Sequence, residues 1–137
     1  MATQHPARAA AQRSMDAVHR KDKEAWLANF ADDARVEDPV GPSPFDPEGR
    51  GHSGREAIGA FWDRHIGPHR VMFNIRESYA AGSEVANVGT ITVAMENGAV
   101  MLVDGVFTYT VNGAGKIVAL RAFWELDRLK VFAPEPP

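Results

Sequence analysis

The chain contains no cysteine. Disulfides, thiol catalysis and thiolate metal sites are therefore excluded. It has no apolar run long enough to span a bilayer, and residues 1–11 lack the hydrophobic core of a signal segment. It also lacks a basic block. Net charge is -3, and the cations are scattered apart from Arg64-His65 and His69-Arg70, a cluster that is half neutral at pH 7. A nucleic-acid partner is not expected. No glycine-rich phosphate loop follows a strand, so nucleotide binding is not expected either. His5, His19, His52 and His69 show no metal-ligand spacing with carboxylates, and no metal is expected. What these absences leave is a cytoplasmic protein without a membrane partner.

The 137 residues suit one domain, 1–137, with flexible tails at 1–5 and 133–137. Hydrophobic residues make up 45% of the chain, enough for a core, and three Trp and seven Phe could also line an apolar pocket. Helical signals come first and long strands follow, the order of an α+β domain. Residues 6–20 read as a helix, with Ala7, Ala11, Ser14 and Val18 on one stripe. Asp22 can cap a second, short helix whose face holds Trp26 and Phe30. Residues 41–51, rich in Pro and Gly, read as a loop. Ser53-Gly54-Arg55-Glu56 fits a capping box opening a third helix. Ala57, Ile58, Phe61, Trp62 and Ile66 form its apolar stripe, shared by His65. Segments 70–80, 84–96, 99–112 and 116–127 read as strands. Asn97-Gly98 and Asn112-Gly113-Ala114-Gly115 mark reversals, and Gly89 and Gly105 mark bends or bulges. Three helices closing one mouth of a curved sheet would make a cone with a pocket inside, the kind of concave site that ligands favour.

One acid stands out. Read as a strand, 34–38 places Ala34, Val36 and Asp38 on one face and Arg35 and Glu37 on the other. The apolar partners make the first face interior, so Asp38 points inward and Glu37 meets water. An inward carboxylate is costly unless paired or hydrogen-bonded, which suggests a proton-transfer group. Asp32 and Asp33 are assigned to the turn before that strand, as structural residues.

The run Phe30-Ala31-Asp32-Asp33-Ala34-Arg35-Val36-Glu37-Asp38-Pro39-Val40-Gly41 closely resembles the corresponding segment of bacterial ketosteroid isomerases. Asn112-Gly113-Ala114-Gly115-Lys116-Ile117-Val118 and Arg121-Ala122-Phe123-Trp124 resemble their last hairpin. The Asp-Pro-x-Gly run, the longer loop after Gly41 and the Gly-Val-Phe-Thr-Tyr strand look like the actinobacterial branch. The resemblance implies the cone of the nuclear-transport-factor-like and SnoaL-like superfamily: a curved mixed or antiparallel sheet against three helices. It also implies a homodimer paired through the outer face of the sheet and a role in lipid metabolism. The family's general base falls on Asp38. Its oxyanion tyrosine falls on Ser14, its protonated oxyanion aspartate on Phe107 and its supporting tyrosine on Trp62. The base is thus retained and the usual donors are replaced. Asp104 is no substitute, because it lies an odd number of residues from Phe107 and faces outward unless Gly105 bulges.

The implied reaction moves a double bond into conjugation with a ketone, and one carboxylate can carry the proton both ways. No cofactor is required, because the substrate's carbonyl is the electron sink. Candidate donors to the carbonyl are Ser14, Trp62, Trp124 and His65. Each has a structural reading too: Ser14 as helix packing, the indoles as core or wall, His65 as a helix-terminal group. Val18, Phe30, Val40, Phe61, Trp62, Val103, Phe107 and Trp124 are the expected walls for a small hydrophobic guest, a steroid by resemblance. Two other readings remain open: a steroid- or hydrophobe-binding protein with little or no turnover, and an epoxide hydrolase or polyketide cyclase on the same cone. The hydrolase would need a carboxylate–arginine network around a water.

Overall fold

The computed structural model describes residues 4–133. Helix α1 (Pro6–His19) is followed by α2 (Lys23–Ala28), strand β1 (Phe30–Glu37), short strand β2 (His52–Ser53) and α3 (Gly54–Phe61). A π-helical turn (Trp62–Ile66) extends α3, and four long strands follow: β3 (Arg70–Ala81), β4 (Glu84–Ala94), β5 (Val100–Val111) and β6 (Ile117–Phe123). A 3-10 turn (Leu126–Arg128) and β7 (Lys130–Phe132) complete the described chain. The strands form one mixed sheet in the order β2-β1-β6-β5-β4-β3, with β7 beside β5. Among the described residues only β1 and β6 run parallel. This is the expected α+β cone, a curved seven-stranded sheet with helices over its concave face.

Local chemistry explains most boundaries. Asp22 caps α2, its carboxylate accepting from the Ala25 N–H at 3.0 Å. Gly98 adopts φ 90° in the β4–β5 reversal, as the Asn-Gly signal requires. Asn112 closes the β5–β6 reversal by accepting from the Ala114 and Lys116 N–H groups, both at 3.0 Å. Gly89 and Gly105 pair directly across β4 and β5. A Cβ at Gly89 would lie 2.2 Å from the Asn74 carbonyl oxygen, and one at Gly105 would lie 2.4 Å from that of Phe123. The two glycines let four strands, β3 to β6, crowd together where the sheet curls. The bulge lies in β3, between Ile75 and Glu77, while β5 keeps its register through Gly105. Asp104 therefore stays on the outer face, exposed, where it accepts from the Thr90 hydroxyl.

Several expectations change. Phe30 opens β1 rather than lying on α2. Asp32 and Asp33 belong to β1 instead of a preceding turn, inside a register shift between Phe30 and Arg35. They remain exposed, and Asp32 pairs with Arg55 at 3.4 Å. Ser53 precedes α3, but its side chain makes no capping bond. β6 stops at Phe123, so the expected long last strand is two strands separated by a turn. His5 is anchored: its Nδ1 accepts from the Ala7 N–H at 3.1 Å and its Nε2 bonds the Gly82 carbonyl at 2.8 Å. Of the tails expected at 1–5 and 133–137, residues 1–3 and 134–137 lie outside the described residues.

Glu37 is the largest correction on the sheet. It is 9% exposed rather than solvated. Its carboxylate lies 3.2 Å from Arg121 and 3.7 Å from Arg35. The loop after Gly41 folds back over it, bringing Gly51 so close that a Cβ there would sit 2.9 Å from Glu37 Cγ and Arg35 Nε. Alternation correctly put Glu37 opposite Asp38, but the loop covers that side.

Candidate active site

The concave face of the sheet, α1 and the α3–π-turn unit enclose a cavity of about 250 Å³. Its walls are mainly aliphatic and aromatic, from β3, β4, β5 and β6 on one side and α1, α2 and α3 on the other. Val18, Phe61, Val103, Phe107 and Trp124 line it as expected. Phe30, Val40 and Trp62 do not. Phe30 is fully buried beneath the cavity, edge-on to Trp26 at 4.8 Å between ring centroids. Val40 lies past Pro39 in a separate shallow groove with Asp104 and Gly105. Trp62 packs behind the wall, 5.2 Å from Trp26, because the π-helical turn begins there and breaks the α-helical stripe. It is 4% exposed and cannot reach a guest.

Asp38 lies one residue beyond β1 and continues its pleat. Ala34 and Val36, on the same face, are fully buried. The chain is held there by the Val40 N–H, which donates to the Ala122 carbonyl at 2.9 Å. The Asp38 carboxylate opens onto the cavity and accepts from the Trp124 indole N–H at 2.6 Å. Among the described residues no cation lies within ion-pair distance of it. Burial pushes its pKa from 3.8 up to about 6, against the opposing effect of the Trp124 hydrogen bond. The result is a carboxylate that is ionised at neutral pH, lightly solvated and ready to accept a proton.

The expected donors separate. Trp124 is in the cavity, but its N–H is taken by Asp38. His65 also lines the cavity, between Phe61 and Phe45, with centroid distances of 5.0 and 5.5 Å. Phe45 is 44% exposed, so His65 sits at the mouth. Burial, then the Arg64 charge, pushes the His65 pKa down, leaving a neutral ring. Ser14 lines the cavity at 2% exposure, and its oxygen accepts from the Trp26 indole at 3.0 Å. Ser14 borders a residue that is not among the expected donors or walls: Tyr109, two residues past Phe107 on the same face of β5. This tyrosine lines the cavity at 4% exposure. Burial, then the Asp38 charge, pushes the Tyr109 pKa up, while the Ser14 hydroxyl opposes the shift by bonding the phenol oxygen. The available signal was a phenol on a core face, which needs a polar partner.

The fold is thus an α+β cone whose apolar cavity is lined by one acid, Asp38, among the described residues. The chain belongs to the SnoaL-like family, whose domain matches residues 11–120. It is 38% identical to a Delta 5-3-ketosteroid isomerase from Mycobacterium sp., with 93% of this chain and 99% of that one covered and a TM-score of 0.90. It is 40% identical to RV0760c from Mycobacterium tuberculosis in complex with estradiol-17beta-hemisuccinate, covering 93% and 99% with a TM-score of 0.89. A computationally designed 17-OHP binder is 40% identical over 94% of this chain and 98% of its own, with a TM-score of 0.90.

Proposed function

We propose that the protein is a steroid delta-isomerase-like enzyme and that Asp38 is its base. The observation that carries this reading is the uncompensated Asp38 carboxylate inside an apolar cavity, with its pKa raised to about 6. The guest is a flat ketone with a double bond one carbon out of conjugation. Asp38 removes a proton from the carbon between the carbonyl and the double bond. The C–H electron pair moves toward the carbonyl oxygen to give a dienolate. The protonated carboxyl then returns the hydrogen at the far end of the diene, and the conjugated enone forms. Trp124 holds Asp38 toward the cavity through both transfers. The solved relatives, a ketosteroid isomerase and steroid complexes, support a steroid guest.

A second reading, a steroid-binding protein with negligible turnover, is favoured by Ser14 and Phe107 standing where the isomerases carry their oxyanion donors. The hydrolase or cyclase reading finds less support. No arginine lines the cavity, and Arg35 and Arg121 flank Glu37 on the outer face. That outer face exposes Met72, Tyr79, Phe123 and Phe132, which supports a homodimer packed through it.

The test is to incubate the protein with a non-conjugated ketosteroid and follow the absorbance of the conjugated enone. The expected result is turnover that Asp38→Ala abolishes. A wild-type rate no higher than that control, with saturable steroid binding, would replace the isomerase by the binding protein.

A further inference from the structure

Asp38 and the phenol of Tyr109 lie on the same concave face of the sheet, and register explains their proximity. Glu37 pairs with Arg121 across β1 and β6, so Asp38 lies beside Ala122. Ala122 pairs with Phe107 across β6 and β5, and Leu120 pairs with Tyr109 one pleat farther along. Both side chains point to the concave face and both line the cavity.

Behind the phenol is a short polar chain in an otherwise apolar wall. The Trp26 indole N–H donates to Ser14 Oγ at 3.0 Å and occupies one of its lone pairs. The Ser14 hydroxyl, buried at 2% exposure, also neighbours the Tyr109 phenol. The indole can only donate, which leaves the Ser14 hydroxyl its own proton and a second lone pair. When Ser14 donates to the phenol oxygen, the phenol proton is left to face the cavity.

We infer that Tyr109 donates a hydrogen bond to the carbonyl oxygen of the guest, while Ser14, held by Trp26, donates to the phenol oxygen. The assignment rests on the isomerase reading for its kinetic consequence only; its consequence for ligand binding stands apart. The ligand is a flat apolar molecule with an oxygen acceptor at one end, a ketone conjugated or about to become so. As Asp38 removes the carbon-bound proton, negative charge grows on that oxygen and the Tyr109 bond strengthens. The phenol keeps its proton throughout, because burial and the Asp38 charge both oppose its ionisation. No atom is transferred from Tyr109, and the proton removed by Asp38 is the proton returned. Tyr109 thus takes over, from β5, a task that the related enzymes assign to other positions. Ser14, whose oxygen already accepts from Trp26, acts through the phenol.

Tyr109→Phe removes one oxygen and keeps the ring, so the cavity wall is preserved. Two readouts are compared with wild type: isomerisation kinetics, and the infrared carbonyl stretch of a bound saturated ketosteroid isotope-labelled at its ring-A carbonyl. The expected result is a kcat lower by ~10²- to 10³-fold, the usual cost of one oxyanion donor, with KM changed only a few-fold. The carbonyl stretch, moved to lower frequency in the wild type, should return toward its value in an apolar solvent. Ser14→Ala should give a smaller loss, roughly 3- to 10-fold, and an intermediate stretch, because it leaves the phenol in place without its guide. If the wild type shows no turnover but Tyr109→Phe still reverses the carbonyl shift, the donor assignment stands and the isomerase reading fails. If the wild type turns over and Tyr109→Phe matches it in kcat and frequency, Tyr109 is only wall and the inference falls. Should Tyr109→Phe fail to fold, an unshifted carbonyl in the wild-type complex overturns the inference by itself.

Discussion

Glu37 and Asp38 are neighbours in the chain, yet the two faces of the sheet treat them differently. On the outer face Glu37 lies between Arg121 at 3.2 Å and Arg35 at 3.7 Å, under the loop that follows Gly41. On the cavity face Asp38 has an indole N–H at 2.6 Å and no cation. A carboxylate with cations on both sides has its charge answered within the protein, and little remains to drive proton transfer. A carboxylate facing apolar walls keeps an unanswered charge, and a proton from a guest is one way to discharge it. The same contrast separates Asp104, exposed and bonded by Thr90, from any role in the cavity.

Asp38→Asn tests this contrast most severely. It keeps the shape and the acceptor for Trp124 but removes the base. Turnover should fall by ~10²- to 10⁴-fold, the usual contribution of a general base. Steroid affinity should stay within a few-fold, as measured by fluorescence titration. Stability should move the other way. The folded state raises the Asp38 pKa from 3.8 to about 6, so it binds that proton more tightly than the unfolded chain. The contribution of Asp38 to stability is therefore fully present below 3.8 and is lost as pH rises through about 6, by ~3 kcal/mol at most. The Asn variant lacks this decline. Urea unfolding at neutral pH should find it more stable than wild type, and the advantage should vanish in acid. Equal stability at both pH values would mean that Asp38 is not desolvated.

The pH profile sharpens the comparison from the other side of the hydrogen bond. In wild type, kcat/KM should rise with pH through about 6, as Asp38 ionises, and then level off. His65 should add no limb of its own, because its pKa is pushed down. Tyr109 should give no alkaline limb near neutrality, since its pKa is pushed up. Trp124→Phe deletes the bond that favours ionised Asp38. A hydrogen bond to a charged group is worth roughly 1.5–3 kcal/mol, so the acid limb should move up by about one to two units. A limb that stays put would show that Trp124 is wall alone.

What could be read in advance follows the range of each interaction. The Asp22 cap, the Asn97-Gly98 reversal and the alternation Ala34, Val36, Asp38 are local, and local rules located them. Outward Asp104 was legible too, because β5 holds its period through Gly105. The errors lie where distant chain decides. Glu37 is covered by a loop, Trp62 is turned inward by a π-helical turn, and β7 forms only because β5 has an open edge beyond β6. Tyr109 is hidden for a related reason: its neighbour Ser14 comes beside it only when α1 packs on β5. A buried phenol with no partner in its own strand was the clue.

Glu37→Gln gives the smallest effect and the cleanest control. It keeps size and hydrogen-bonding capacity, and removes only the charge that answers Arg35 and Arg121. Arg121 is half-exposed and also stacks over Phe123 at 5.2 Å, so water and the ring can hold it after the change. The cost should be about 1 kcal/mol, nearer to an exposed ion pair than to a buried one. It should be largest at low salt, because added ions screen the attraction that is lost. Turnover should stay within about twofold, since Glu37 faces away from the cavity and the Ala122 carbonyl still anchors the chain at Val40. A large loss of activity with unchanged stability would mean that the two faces are coupled through β1. The contrast between the neighbouring acids would then describe one electrostatic unit.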